Sequence, residues 1–241
     1  MVPLGPAAGA VALNKDTGKE VWRSEPIAGK LSYASPISTT IADVDQVLVL
    51  STTTTAGVSA KTGQVLWSSD DYKCQIPIAS PFPLGDGRVF VTNGYNAGAI
   101  MFKVEKQGDR FVCNTLFKTK DINGQIHQPI LHQGFVYLNG NDKSKRFGFL
   151  CADLDGNVEW QTDKSPGFDW GGYLLADGML YVIDGNTGDL CLVEPNPAGY
   201  KELGRVKLLG TRETWGTVAL SDGKLLIRDQ TQMKCVDVRG K

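Results

Sequence analysis

The chain has 241 residues, 41% of them hydrophobic and 28 of them glycine, and its 25 basic and 26 acidic residues leave a net charge of −1. That balance describes a turn-rich globular protein with no basic stripe for nucleic acid and no apolar run of about 18 residues to span a membrane. Its 5 cysteines are an odd number without a C-x-x-C pair, which excludes a complete internal disulfide framework and a zinc site of that spacing.

The start, Met1-Val2-Pro3-Leu4-Gly5-Pro6, lacks the basic and apolar regions of a secretory signal. Residues 1–25 read as the close of a second strand, then a third and a fourth strand. Tyr33-Ala34-Ser35-Pro36-Ile37 then predicts an edge strand, because proline is tolerated at strand starts and edges. Val47-Leu48-Val49-Leu50 follows as a second strand reached by a longer loop, then a third through Gly57 and a fourth carrying Trp67. The order returns with Ile78-Ala79-Ser80-Pro81-Phe82, a tight Asp86-Gly87 turn, Arg88–Val91, and an elongated hairpin around Gln107-Gly108-Asp109 that brings Phe117 to the tryptophan position. It returns again with Ile126-His127-Gln128-Pro129-Ile130, Phe135–Leu138, Cys151 and Trp160. A fourth round runs through Trp170–Leu174, the Asp177-Gly178 turn, Met179–Val182, Cys191 and Gly204-Arg205-Val206, with no aromatic at the end. Residues 213–241 supply Trp215–Ala219, Asp222-Gly223, Lys224–Ile227 and Cys235, without a fourth strand.

A motif marks each round. Ala12-Leu13-Asn14-Lys15-Asp16-Thr17-Gly18 precedes Trp22, Gly57-Val58-Ser59-Ala60-Lys61-Thr62-Gly63 precedes Trp67, and Cys151-Ala152-Asp153-Leu154-Asp155-Gly156 precedes Trp160. Self-similarity at a period of about 45 residues means one supersecondary unit repeated. Four hairpin-connected strands per unit, with no helical period over ten residues, predict an all-β fold, a β-propeller of four-stranded antiparallel blades. A β-sandwich also uses short strands but needs no self-similar units. Cys151, Cys191 and Cys235 share the slot of Ala12 and Gly57, so they are expected to pack as small apolar groups.

These residues resemble the PQQ-type, quinoprotein alcohol dehydrogenase-like β-propeller repeat proteins, whose signature is similar to Ala12–Trp22 with Asn14 in place of Asp. The unit order and the ending Leu226–Gln230 to Cys235–Val238 resemble a bacterial subgroup of exported PQQ-binding-like proteins, some labelled alcohol or polyvinyl-alcohol dehydrogenases. The resemblance implies that Trp22, Trp67 and Trp160, with Gly18, Gly63 and Gly156, dock neighbouring blades. It also implies eight blades. One domain, residues 1–241, is then expected: a partial blade over 1–25, four full blades over about 31–208 and a partial blade over 213–241. The expectation is an N-terminally incomplete propeller, the alternative a closed five-bladed ring. For the complete parent protein it implies a periplasmic or secreted location.

Function then falls to the rim where inner strands start and second strands end. Candidates there are Tyr33, Asn93, His127, Asn139, Trp170, Asp184, Trp215, Arg228 and Asp229. His127 and His132 are not spaced on a strand as a metal pair, and no nucleophile elbow, P-loop or dinucleotide fingerprint is present. The charged run Asp142–Arg146 reads as a solvated loop. Two functions follow. The first is a non-catalytic binding or assembly scaffold of the cell envelope, taking a protein or saccharide ligand at the rim, with self-association through open blade edges. The alternative is a PQQ- and calcium-dependent alcohol dehydrogenase, with Trp170 or Trp215 as stacking platform and Asp184 or Asp229 as calcium ligand or base. No residue is assigned as catalytic and none to a resident metal.

Overall fold

The computed structural model describes residues 2–5, 9–143, 145–210 and 212–240. Met1, Pro6 and Ser144, which entered the reading of the start and of the charged run, lie outside the described residues. The chain forms two compact units, residues 1–128 and 129–241. The described residues form no helix, only antiparallel sheets in which sequential strands pair side by side.

The first unit holds three sheets. They are β1 (Val2–Gly5), β2 (Gly9–Leu13) and β3 (Glu20–Arg23); β4 (Ile37–Ile41), β5 (Val44–Leu50), β6 (Thr55–Ser59) and β7 (Val65–Ser69); and β8 (Phe82–Pro83), β9 (Arg88–Asn93), β10 (Gly98–Gln107) and β11 (Arg110–Thr119). The second unit holds β12 (Ile130–His132), β13 (Phe135–Asn141), β14 (Arg146–Ala152) and β15 (Val158–Gln161); β16 (Tyr173–Ala176), β17 (Met179–Ile183), β18 (Asp189–Glu194) and β19 (Lys201–Lys207); and β20 (Ala219–Ser221), β21 (Lys224–Arg228) and β22 (Met233–Asp237). These are propeller blades, each a meander.

The apolar runs show why. In β5, Val47 and Val49 face a core with Ala10 and Trp22, whereas Leu48 and Leu50 face one with Val89, Val91 and Ile100. A strand buried on both faces needs an unbroken hydrophobic run, and period two then deals alternate residues to opposite sides. Each fully buried Val or Leu of that run contributes about 1.5–3 kcal/mol. In the second unit, Phe149 packs edge-on against Tyr173 at 5.2 Å between ring centroids and tilts on Trp160 at 6.4 Å.

The repeated slot and the tryptophan meet across one ladder. Ala12 pairs with Trp22, Gly57 with Trp67 and Cys151 with Trp160. A side chain at Gly57 would meet Nε1 of Trp67 at 2.0 Å, so the ring dictates the small residue. Phe117 stands opposite Met101, at the tryptophan position, and Arg205 stands opposite Cys191. Cys74, Cys151 and Cys191 are buried, Cys113 is half-buried, and Cys235 is exposed.

Three local expectations need correction. Residues 33–36, 78–81, 126–129, 170–172 and 215–218 are approach loops, and the inner strands begin just after them. Pro36, Pro81 and Pro129 have no N–H to give a ladder, so pairing starts at the next residue. The longer hairpin loop falls at Gly85-Asp86-Gly87, closed by Leu84 N donating to Arg88 O at 3.0 Å, while β4 and β5 join through the two residues Ala42-Asp43. Both of these have positive φ, 49° and 60°, as do Asp177-Gly178 and Asp222-Gly223, which is the mirror-image turn that matches strand twist. Finally, Asp142 is fully buried rather than solvated, and its Oδ1 accepts from Lys145 N at 2.5 Å.

Candidate functional site

The rim candidates divide between the units. In the first, Tyr33 is 79% exposed, and its backbone N–H donates to Pro77 O at 2.9 Å. Asn93 is buried and accepts from Ile78 N at 2.6 Å and Ala79 N at 3.0 Å, pinning the loop that leads into β8. His127 sits half-buried in the loop leading to β12. Of these side chains, Asn93 holds an approach loop in place.

In the second unit the structure brings Trp170 and Trp215 together, edge to face, with centroids 4.9 Å apart. Trp215 Nε1 donates to Asp169 Oδ2 at 2.8 Å, and Arg146 Nη1 pairs with Asp169 Oδ1 at 2.7 Å. The Arg146 guanidinium also lies 4.0 Å from the centroid of Trp170. The four side chains therefore form one chain of contacts: Trp170, Arg146, Asp169, Trp215. Arg228 joins its margin, since its Cγ lies 3.1 Å from where a side chain on Gly216 would begin.

Local backbone geometry builds this cluster. Phe168 and Asp169 both have positive φ, 54° and 46°, a conformation that costs energy for a non-glycine residue. It buries Phe168 completely while presenting the next two side chains at the rim. Asn141 holds the loop, donating Nδ2 to Gly167 O at 2.6 Å and to the Asp169 carbonyl. Trp170 returns a bond from Nε1 to Asn141 O at 3.1 Å. Asn139 donates to Gly171 O at 3.3 Å. Beside the cluster opens a cleft of about 590 Å³, lined among others by Arg146, Lys164, Asp169, Asp184, Asn186 and Arg205.

Asp184 and Asp229 do different work. Asp184 Oδ1 accepts from Asn186 N at 3.0 Å and Thr187 N at 3.2 Å. Asp229 Oδ1 accepts from Thr231 N at 2.8 Å and Gln232 N at 2.9 Å, and its Oδ2 from Gly210 N at 3.1 Å. Ser51 and Asp142 receive equivalent bonds after β5 and β13, from Thr53 N and Thr54 N and from Lys145 N. The residue after β5, β13, β17 and β21 is thus a turn cap, whereas Gly94 follows β9 and Asn93 before it holds the neighbouring loop instead. The N–H bond from Thr231, followed by those of Gly210 and Gln232, holds the Asp229 carboxyl far below the usual range.

This arrangement does not fit PQQ with calcium. The two carboxylates offered as ligand or base are engaged by turn N–H groups, and the Trp170 face under Arg146 is already covered. No group of three His, Cys, Asp or Glu side chains among the described residues is placed to hold a metal ion. What the cluster offers is an aromatic and charged surface for recognition. Sequence reasoning named both tryptophans but missed Arg146. The available signal was its place at the end of the charged run, where the β13–β14 connection meets the same rim.

A family model described as outer membrane protein assembly factor BamB matches residues 7–162. Among solved structures, a quinohemoprotein alcohol dehydrogenase from Pseudomonas putida HK5 has a TM-score of 0.57 at 12% identity, over 90% of this chain and 42% of that one. A putative 6-phosphogluconolactonase from Bacteroides uniformis ATCC 8492 has a TM-score of 0.54 at 13% identity, over 98% and 80%. BamB from Moraxella catarrhalis has a TM-score of 0.45 at 14% identity, over 90% and 75%. Likenesses at such identities concern the fold alone. No curated protein matches the chain significantly.

Proposed function

Since the chain belongs to the PQQ-like repeat family whose model is described as outer membrane protein assembly factor BamB, we propose that it is a non-catalytic binding scaffold of the bacterial cell envelope. The observation that carries this reading is the cluster of Trp170, Arg146, Asp169 and Trp215 beside the cleft. Aromatic and arginine side chains arranged this way suit a protein surface, where they supply large contact area at little entropic cost. The turn-cap role of Asp184 and Asp229 supports recognition over oxidation. The partner is a protein that lays a polar loop along the rim of the second unit.

Two measurements on the protein test this. A photo-crosslinking residue at Lys164, which lines the cleft, is expected to trap a discrete envelope protein, whereas one at the exposed Lys15 traps none. Titration with PQQ and calcium, read by tryptophan quenching and dye-linked alcohol oxidation, is expected to give neither saturation nor turnover. Saturable quenching with turnover would replace the scaffold by the dehydrogenase.

A further inference from the structure

The charged run Asp142–Arg146 changes character when it folds. Asp142, its one acid, is fully buried: its Oδ1 accepts from Lys145 N at 2.5 Å, and its own N–H donates to Lys145 O at 2.8 Å. A run of mixed charge in sequence thus turns its acid inward and keeps its cations outside. Lys143 and Arg146 are exposed, and Lys145 is half-buried with its Nζ 5.3 Å from the centroid of Phe147. Lys164, exposed on the loop after β15, lines the same cleft as Arg146.

The acids nearby leave those cations largely unanswered. Arg146 pairs with one oxygen of Asp169 through Nη1, and the Trp215 indole takes the other oxygen. Asp163 Oδ1 accepts from Gln161 Nε2 at 2.6 Å, and Asp184 Oδ1 caps its turn. Arg205, on the same cleft, is held by Glu202 at 2.8 Å and Asp189 at 3.4 Å. Lys143 and Lys164 form no ion pair with any described residue.

Stacking on Trp170 fixes the Arg146 guanidinium in one plane. Only Nη1 is engaged by Asp169, so the fork keeps N–H groups for an outside acceptor, and a planar fork suits a carboxylate. Lys143, in the same connection, and Lys164, on the same cleft, add an attraction that reaches about 8 Å at physiological salt. A cleft of about 590 Å³ admits a side chain or a loop, whereas a flat bilayer surface does not enter it.

We propose that the partner brings an acidic segment to this face, with one carboxylate on the Arg146 fork and others answering Lys143 and Lys164. This rests on the scaffold function proposed above and adds to it the chemistry of the partner.

The test places the photo-crosslinking residue at Asn186, which also lines the cleft, so that Lys164 stays in place. The yield of trapped partner is expected to fall about tenfold or more when Lys143→Glu and Lys164→Glu are combined. A similar fall is expected when salt rises from about 0.05 to about 0.5 M. Lys15→Glu, at an exposed turn of the other unit, leaves the yield unchanged. Lys143 and Lys164 are both exposed, so the urea midpoint is expected to be the same in all variants. A carbodiimide, which joins an amine to a carboxylate directly, is expected to link Lys143 or Lys164 to an Asp or Glu of the same trapped protein, located by mass spectrometry. A partner trapped with a yield indifferent to salt and to the double variant, or joined by no such link, overturns the acidic segment and leaves the rim scaffold standing. No trapped partner at all removes the rim scaffold and the acidic segment with it. If the protein instead sediments with phosphatidylglycerol vesicles and the double variant does not, while the crosslinking yield stays constant, the face meets an anionic bilayer and the proposal falls.

Discussion

Trp22 reaches across to Ala60: its indole Nε1 donates to that carbonyl at 2.9 Å, and Gly63 sits so close that a side chain there would meet Cε3 of the ring at 2.6 Å. The motif around Ala60 and Gly63 is therefore the seat for the tryptophan of the preceding sheet, whereas the Trp67 indole donates to Gln46 within its own. Trp22→Ala removes a ring that is 9% exposed and is expected to cost about 3 kcal/mol or more, read as a fall in the urea midpoint. Trp22→Phe keeps most of the packing and loses the hydrogen bond, so about 1–2 kcal/mol is expected. Equal losses for both variants would mean that the bond, and not the packing, joins the two sheets.

The architecture was legible because each repeat states the same physical demand several times. A small residue at 12, 57 or 151 and a tryptophan at 22, 67 or 160 are two halves of one contact, and both recur. The inner strands were placed too early because Tyr33-Ala34-Ser35-Pro36 carries a strand-like composition, while its hydrogen bonds go elsewhere: Ser35 N donates to Ser80 Oγ at 2.9 Å. Such bonds link positions about 45 residues apart, and no local pattern announces them. Asp184 and Asp229 show the same limit at the rim. A carboxylate that caps a turn and one that binds a ligand have the same letter, and only the N–H groups around each decide. Arg146 went unnoticed because its partners Asp169 and Trp170 lie more than 20 residues away in sequence.

The cysteines give a direct test of the packing slot. Burial pushes the Cys151 thiol up to about 11 and those of Cys113 and Cys191 to about 12, and raises Cys74 as well. The thiolate is the reacting species, so these four are expected to resist an aromatic disulfide reagent at about pH 8 in the native protein. Cys235 is exposed on β22 and is expected to react at once, giving one fast equivalent in the fold and 5 after denaturation. Cys235→Ser abolishes the fast phase. Two or more fast equivalents would mean that the third-strand slot opens in solution.

Asp229 predicts a pH dependence with a definite sign. Its folded carboxyl is held down chiefly by the Thr231 N–H, whereas in the unfolded chain it titrates near about 3.9. A depressed folded value stabilises the fold above about pH 4, and the contribution fades as pH falls further. Asp229→Asn is therefore expected to lower the urea midpoint at neutral pH, with the gap to wild type narrowing steadily on acidification. A gap that stays constant down to about pH 2.5 would show that the turn depends on shape and not on the charge.

The rim cluster separates recognition from stability. Side chains of Arg146 and Asp169 are 41% and 19% exposed, and ion pairs at such a surface contribute at most about 1 kcal/mol. Arg146→Ala should thus leave the urea midpoint nearly unchanged while uncovering the face of Trp170, read as a red shift and altered quenching of tryptophan emission. Arg146→Lys retains the charge but not the planar stack, so its emission should follow the alanine variant more closely than wild type. Asp169→Asn keeps an acceptor for the Trp215 indole and loses only the ion pair, so it should perturb emission least. Crosslinking from the cleft is expected to fall in the order Asp169→Asn, Arg146→Lys, Arg146→Ala, the order in which the stacked cation is lost. If all three variants crosslink like wild type, the partner does not touch this cluster and the rim is not the recognition surface.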